Sequence, residues 1–284
     1  MGRLRFTKMH GLGNDYVYVD CFCQPKPDGS ALARVVSPRR TGIGSDGVIL
    51  ILPSATADCR MEMYNADGSR GEMCGNGIRC VGKYVYERGL SKNNPLRVET
   101  DAGVKTLYLS VQNGRVGSVT VDMGEPILGA HAIPVKVDHS PVVRHPIAVA
   151  GEELEFTAVS MGNPHCVLIV PDVAIAPVQR VGPLLEHHPL FPSRVNVEFV
   201  EVAAPDILRM RVWERGSGET DACGTGACAA VVAASLLGLA GRTAQVHLRG
   251  GVLQIEWREQ DNRVYMTGPA EEVFDGELVW PRAA

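Results

Sequence analysis

Short segments of alternating apolar and polar residues are more frequent than helical patterns in this chain, and their order is the same in both halves. Alternation with a period of two is typical of strands that have one buried face. The predicted strands are Asp15–Phe22, Val48–Leu52 and Arg60–Asn65 in the first half, and Cys166–Val170, Asn196–Val202 and Leu208–Glu214 in the second. We therefore expect an α+β fold, in which each half is a curved, mostly antiparallel sheet or barrel around a central helix.

One helix is predicted in each half, directly after a Gly-rich loop. Gly75–Arg88 has its apolar residues on one face and its charged residues, among them Arg79, elsewhere. Gly224–Leu237 consists almost entirely of Ala, Val and Leu, so it should be buried on every side. Gly89 and Gly238 follow these helices where a left-handed cap is expected. Later in each half a hairpin is predicted, with its turn at Asn113-Gly114 in the first half and near Asp261-Asn262 in the second.

An internal repeat relates the two halves at a constant offset of 149 positions. The repeated pairs are Cys74-Gly75-Asn76-Gly77 and Cys223-Gly224-Thr225-Gly226, Gly13-Asn14 and Gly162-Asn163, Arg60-Met61 and Arg209-Met210, and Gly89-Leu90 and Gly238-Leu239. Several matches in one register indicate a duplicated domain, so the two halves should be pseudo-symmetric. We place the first domain at residues 1–123 and the second at residues 124–284, and the last strand can return to the first domain.

Composition narrows the classes of function. The 284 residues have a formal net charge of −4 and no basic block, so neither a nucleic acid nor an acidic membrane is expected as a partner. We see no signal peptide and no apolar stretch long enough to span a bilayer, and we expect a cytoplasmic protein that acts on a small molecule.

The eight cysteines are expected to be reduced thiols in that compartment. None has Cys-x-x-Cys spacing, and most should be small buried apolar residues. A dithiol redox protein remains an alternative, as does a zinc site built from His10, His165 and the two repeated thiols. We expect no metal and no cofactor.

The repeated cysteines, Cys74 and Cys223, each stand at the start of a helix, where free amides and the helix dipole stabilise a thiolate. A racemase needs two matched acid–base groups, because one removes a proton from a carbon and the other returns a proton to the opposite face. Exposed amides at two helix ends can also stabilise the negative charge that develops on the substrate. In a coupled pair of thiols, one cysteine needs a lowered pKa and the other must stay protonated. His165 and Glu214 are candidates for tuning these pKa values.

Six segments of the chain resemble the diaminopimelate epimerase family. They are Gly11-Leu-Gly13-Asn14-Asp15, Tyr64-Asn65-Ala-Asp-Gly-Ser, Met73-Cys74-Gly75-Asn76-Gly77-Ile-Arg79, Gly162-Asn163-Pro164-His165-Cys166, Asn196-Val-Glu198 and the run from Glu214-Arg215-Gly to Ala-Cys223-Gly224-Thr225-Gly226-Ala-Cys228. The resemblance implies conversion of LL- to meso-diaminopimelate without pyridoxal phosphate or metal, on the route to lysine and peptidoglycan. It also implies a homodimer and a substrate cleft between the two halves.

The resemblance further implies roles for individual residues. Cys223 would be the base for the LL substrate and Cys74 the acid. The carboxylate at the reacting end would bind to the backbone amides of Gly75, Asn76, Gly224 and Thr225. The second amino-acid end of the substrate would bind to Asn14, Asn65, Asn163, Asn196, Glu214 and Arg215.

One position departs from the family pattern. Many members have Gln where this chain has Gly47, and the repeat places Gly47 opposite Asn196. If the position contacts substrate, either a water replaces the amide or the cleft is slightly wider. A related proline or hydroxyproline racemase would use the same thiols but would not need polar residues for a second amino-acid end.

Overall fold

Strands dominate the computed structural model, which describes residues 2–280. The described chain forms eighteen strands and four helices, and it divides into two units. The first unit contains the residues up to Val121 together with those from Gly268 onwards, and the second unit contains Asp122–Thr267. The C-terminal strand therefore belongs to the first unit.

The first unit is built from a long antiparallel sheet with two helices. Its elements are β1 (Gly2–Gly11), β2 (Asn14–Asp20), α1 (Gly29–Val36), β3 (Gly47–Leu52), β4 (Cys59–Asn65), β5 (Arg70–Gly71), α2 (Gly75–Glu87), β6 (Leu96–Thr100), β7 (Gly103–Gln112), β8 (Arg115–Gly124) and, after the second unit, β18 (Glu271–Trp280). Two pairings in this unit, β2 with β3 and β4 with β6, are parallel.

The second unit repeats this order of elements. It consists of β9 (His145–Val149), β10 (Glu152–Ser160), β11 (Pro164–Ile169), α3 (Val178–Glu186), β12 (Asn196–Ala204), β13 (Ile207–Glu214), β14 (Gly218–Thr220), α4 (Gly224–Leu236), β15 (Thr243–Leu248), β16 (Gly251–Trp257) and β17 (Val264–Gly268). The parallel pairs are β11 with β12 and β13 with β15, at the places equivalent to the parallel pairs of the first unit. The expected duplicated α+β fold is thus confirmed.

The structure confirms both predicted helices and their caps. Gly89 and Gly238 have φ values of 76° and 69°, as left-handed caps require. Every residue of α4 from Ala227 to Ala234 is fully buried. Arg79, which the pattern places off the apolar face of its helix, is fully buried, and its guanidinium donates to the carbonyls of Gly75 and Pro269 within the first unit.

Two further helices were not predicted from the sequence. α1 begins after Asp28, whose carboxylate accepts a hydrogen bond from the amide of Ala31, and its residue Leu32 lies in the core against β3 and β4. α3 packs so closely on β13 that a Cβ at Gly182 would lie 2.6 Å from the Cβ of Trp213. None of the helices in the described range has the length and apolar character needed to cross a membrane.

Candidate active site

The two repeated cysteines occupy the same structural position in their units. Cys74 is the N-cap of α2 with φ −129° and ψ 120°, and Cys223 is the N-cap of α4 with φ −120° and ψ 109°. Each sulfur accepts a hydrogen bond at 3.4 Å from the third amide of its helix, that of Gly77 or Gly226. Both thiols therefore face the positive end of a helix.

A glycine is required at the third helical position in both units. A Cβ on Gly77 would lie 2.6 Å from Cδ1 of Ile49, and a Cβ on Gly226 would lie 2.8 Å from Oε1 of Glu198. The repeat places Ile49 and Glu198 at equivalent positions on β3 and β12. Each helix end thus packs on the equivalent strand of its own unit, over an aliphatic side chain in the first unit and a carboxylate in the second.

In the first unit the Cys74 thiol faces a side-chain amide whose orientation is fixed. Asn14 donates through Nδ2 to the carboxylate of Asp46 at 2.8 Å. Its Oδ1 therefore faces inward and accepts from Sγ of Cys74 at 3.3 Å and from Nδ2 of Asn76 at 3.4 Å. Arg39 donates to Asp46 at 2.9 Å. This arrangement stabilises the thiol form of Cys74, because the S–H donates to an oxygen.

The Cys223 thiol of the second unit is more deeply buried, with 4% of its surface exposed. Burial raises the pKa of Cys223 well above its usual range, and the negative charges of Glu214 and Glu198 raise it further. The hydroxyl of Thr225, with Oγ1 at 3.6 Å from Sγ, and the amide of Gly226 act in the opposite direction.

Glu214 lies at the end of β13 and forms a hydrogen bond with Cys223. Burial raises its pKa, whereas hydrogen bonds with Thr220 and Cys223 oppose that effect. A carboxylate beside a buried thiol disfavours the thiolate, because the two negative charges repel each other.

His165 is completely buried on β11. Its Nδ1 lies 2.7 Å from Oε1 of Glu198, which is also completely buried. Its Nε2 lies 3.1 Å from Oδ1 of Asn163, and Nδ2 of Asn163 donates to Oγ1 of Thr225 at 3.3 Å.

Glu198 lies within one of the segments that resemble the family, although no role was predicted for it. The signal that could have identified it is a carboxylate in the middle of an apolar strand, where the repeat has Ile49 in the other half.

The expected residues for the second amino-acid end lie in different environments. Asn196 is buried, donates to the carbonyl of Pro164 at 3.0 Å and accepts from the amide of Arg215 at 2.9 Å. Arg215 is exposed and donates to the carbonyl of Ser193 at 3.0 Å. Asn65 is also exposed and donates to Ser69 at 2.9 Å. Asn196 thus positions the backbone of Arg215, whereas Arg215 and Asn65 have exposed side chains.

Gly47 is closely packed in the structure. It pairs with Tyr16 on one side and with Asn65 on the other, and a Cβ at this position would lie 2.0 Å from the carbonyl oxygen of Tyr64. A larger residue would require a different course of β3 or β4. Gly47 therefore permits the close approach of β3 and β4 in this structure.

Titratable side chains of residues 2–280 do not gather in groups of three or more His, Cys, Asp or Glu that could hold a metal ion. The eight cysteines all lie in this range, and none of them forms a disulfide there.

The chain is similar to known proteins over most of its length. A family model described as diaminopimelate epimerase matches residues 6–129 and 157–273. The diaminopimelate epimerase of Acetivibrio thermocellus is 58% identical over 97% of this chain and 98% of its own length. That of Moorella thermoacetica is 58% identical over 97% and 99%, and that of Methanococcus maripaludis strain C5 is 53% identical over 97% and 99%.

Solved structures of more distant proteins share the fold. A probable proline racemase from Agrobacterium radiobacter superposes with a TM-score of 0.71 at 17% identity, covering 98% of this chain and 93% of that one. A hydroxyproline epimerase from Agrobacterium vitis gives a TM-score of 0.68 at 16% identity, covering 97% and 91%.

Proposed function

Because this chain belongs to the diaminopimelate epimerase family, we propose that it interconverts LL- and meso-2,6-diaminopimelate. The reaction would serve lysine and peptidoglycan-precursor synthesis in the cytoplasm. The observation that supports this most strongly is the pair of N-cap thiols, Cys74 and Cys223, with the same backbone geometry and the same amide contact.

In the proposed reaction one thiol from each unit acts on the α-carbon of the substrate. Cys223 as thiolate removes the α-proton of the LL isomer and becomes a thiol. Cys74 donates its proton to the opposite face of the carbon and becomes a thiolate, and the reverse reaction exchanges these roles. The hydrogen bond from Cys74 to Asn14 supports this assignment, because it favours a protonated Cys74 before the reaction.

The helix ends supply the electrostatic part of catalysis in this proposal. Removing an α-proton places negative charge on the carbon and its carboxylate. The backbone amides of Gly75 and Asn76 in α2, and of Gly224 and Thr225 in α4, would bind that carboxylate at the positive helix ends. A preorganised donor of this kind contributes about 3–4 kcal/mol to stabilising the transition state.

Polar residues near the thiols would bind the second amino-acid end. Asn65 and Arg215 offer exposed polar side chains, and Asn196 holds the backbone of Arg215 in place. Asn14 and Asn163 already have hydrogen-bond partners next to the thiols. We place their contribution close to the reacting centre, and we place Gly47 at the site through its backbone alone.

A homodimer is part of the same proposal. β18 pairs with β1 in the first unit and has exposed apolar side chains at Val273, Phe274 and Val279, which are 55%, 46% and 67% exposed. Exposed apolar groups of this size on one strand are typical of a protein–protein contact.

Direct assay of the purified protein tests the proposed activity. LL-diaminopimelate should be converted into the meso isomer without any added cofactor, and proline should be turned over at least ~10³-fold less efficiently in kcat/KM. The reason is that polar groups built for a second amino-acid end remain unpaired with proline. Comparable kcat/KM values for the two substrates would instead assign the chain to the proline racemase activity, with which it shares the fold.

A further inference from the structure

A continuous series of polar contacts joins the buried Glu198 to the sulfur of Cys223 within the second unit. It runs from Glu198 to His165 at 2.7 Å, from His165 to Asn163 at 3.1 Å, from Asn163 to Thr225 at 3.3 Å and from Thr225 to Cys223 at 3.6 Å. His165 and Glu198 are completely buried. Among residues 2–280 the second carboxylate oxygen of Glu198 has no hydrogen-bond partner, so His165 is the one side chain that this group holds.

The contacts have a defined direction. Both ring nitrogens of His165 face oxygen atoms, Oε1 of Glu198 and Oδ1 of Asn163. With Oδ1 of Asn163 facing the ring, Nε2 carries a hydrogen and donates to Asn163, and the hydrogen between Nδ1 and Oε1 then belongs either to a doubly protonated His165 or to a neutral Glu198. Asn163 then donates through Nδ2 to Oγ1 of Thr225, which leaves the Thr225 hydroxyl proton free to point at the sulfur of Cys223.

We propose that Glu198 is a positioning residue for the epimerase reaction. It acts through His165 and Asn163, so that the hydroxyl of Thr225 donates to the Cys223 thiolate. The proposal rests on the proposed function and adds to it the means by which a deeply buried sulfur becomes a base. A hydrogen bond that involves a charged partner is stronger than a neutral one. A carboxylate on the far side of His165 therefore strengthens every donor in the series.

The first unit lacks this arrangement, which makes it specific to Cys223. The repeat places Tyr16 at the position of His165 and Ile49 at that of Glu198. Tyr16 is buried and forms hydrogen bonds with Cys74 and Asn14, and burial raises the pKa of its hydroxyl well above the usual range. Donation from this hydroxyl to the sulfur of Cys74 opposes the effect of Asn14, but among the described residues no buried carboxylate stands behind it as Glu198 stands behind His165. Asn14 is turned by Asp46 so that it accepts from the Cys74 thiol. One amide therefore favours a thiol, and the equivalent amide in the second unit favours a thiolate.

Charge alone would have the opposite effect from this series of donors. The titratable groups that act on Cys223 are Glu214 from β13, Glu198 from β12 and, through Asn163, His165 from β11. The negative charge of Glu198 taken by itself raises the pKa of Cys223. Removing it should lower that pKa if only charge matters, but raise it if the donation from Thr225 depends on Glu198. The sign of the change therefore separates the two explanations.

The test is the pH dependence of kcat/KM for the LL isomer, whose acidic limb reports the ionisation of the free enzyme's base. Glu198→Gln and Thr225→Val should each move this limb to higher pH, by roughly one unit for Thr225→Val, because a hydrogen bond to a charged group is lost. Thr225→Ser keeps the hydroxyl and should leave the limb in place. The double variant should shift no further than Thr225→Val alone, because the two changes interrupt the same series.

A control variant and a second measurement without substrate accompany this test. Glu201→Gln makes the same substitution on the same strand, at a carboxylate that accepts from Arg209 and the amide of Val173, and it should not move the limb. The pH at which iodoacetamide alkylates Cys223, read by mass spectrometry, should shift like the limb and needs no substrate. It therefore separates a failure of this inference from a failure of the proposed activity.

If Glu198→Gln does not fold, the comparison of Thr225→Val with Thr225→Ser decides. A limb that stays or moves to lower pH in Glu198→Gln or in Thr225→Val, or additive shifts in the double variant, would overturn the proposal.

Discussion

At each N-cap sulfur the first neighbour is a helix amide, but the remaining neighbours differ between the units. Cys74 is partly exposed and donates to Asn14, whereas Cys223 is buried beside Glu214, with the hydroxyl of Thr225 at 3.6 Å from its sulfur. A two-thiol mechanism requires one protonated and one ionised sulfur at the start of each turnover. Burial and the charge of Glu214 oppose ionisation of Cys223, so the proposed thiolate depends on the donors of Thr225 and Gly226.

Glu214 gives a pH-dependent prediction at this scale. Its negative charge raises the pKa of Cys223, so Glu214→Gln should lower that pKa. The thiolate then forms at lower pH, and the acidic limb of kcat/KM for the LL isomer should move to lower pH. Glu219→Gln is a matched control on β14, because that carboxylate accepts from Arg211 and Gln179. A shift in the alkaline direction for Glu214→Gln would mean that its charge is not what Cys223 senses.

At the scale of single elements, close packing of strands limits which side chains fit. Gly47 begins β3, and any Cβ there would overlap the Tyr64 carbonyl oxygen on β4. Gly117 on β8 instead has open space, with its nearest atom 3.9 Å from an added Cβ. These two glycines therefore form a matched pair for substitution.

Gly47→Ala should lower the free energy of unfolding by at least about 2 kcal/mol, because overpacking forces the backbone to move. Gly117→Ala should change it by no more than ~0.5 kcal/mol, as is usual for an open site. Urea titration followed by circular dichroism measures both values. Equal effects of the two changes would be inconsistent with the close contact between β3 and β4.

Many of the strands, turns and helices could be predicted from the sequence, because hydrophobic periodicity indicates buried faces and the repeat relates the two halves. The Asn113-Gly114 turn has the positive φ angles of 50° and 76° that such a turn needs, and α4 is as buried as its composition predicts. The pattern could not identify α1 or α3, which are short. It also could not show that Arg79 is buried, because its partner Pro269 lies far along the chain.

The candidate site was predictable in its cysteines and less so in its polar contacts. The repeat offset identifies Cys74 and Cys223 without any knowledge of the fold. The pairing of His165 with Glu198 depends on the parallel register of β11 and β12, which local sequence does not specify. The packing at Gly47 likewise depends on the distance between two strands.

At the scale of the whole molecule the proposed homodimer predicts a change of mass with concentration. Phe274→Glu on β18 should shift the equilibrium towards monomer, because it places charge among exposed apolar side chains. Val104→Glu introduces the same charge at another exposed apolar residue of the first unit, 41% exposed, and should have no such effect. Sedimentation analysis distinguishes the species. A parent protein that sediments as a monomer at every concentration would contradict the dimer.

The central claim is that one thiol from each unit serves one face of the substrate carbon, and epimerisation in D₂O tests it most directly. Starting from the LL isomer, the meso product should contain deuterium at the inverted centre, and substrate recovered early should contain little. A thiol base holds a single proton that is shielded from solvent during turnover, so the product gains label first.

The same measurement on variants decides the roles of the two sulfurs. Cys223→Ala should abolish proton removal from the LL isomer and Cys74→Ala should abolish it from the meso isomer, each with a loss of several orders of magnitude in turnover. Cys80→Ala and Cys228→Ala remove other buried thiols from α2 and α4 and serve as controls that should stay active. If either Cys74→Ala or Cys223→Ala still epimerised at a tenth of the parent rate, the two-base account would be contradicted.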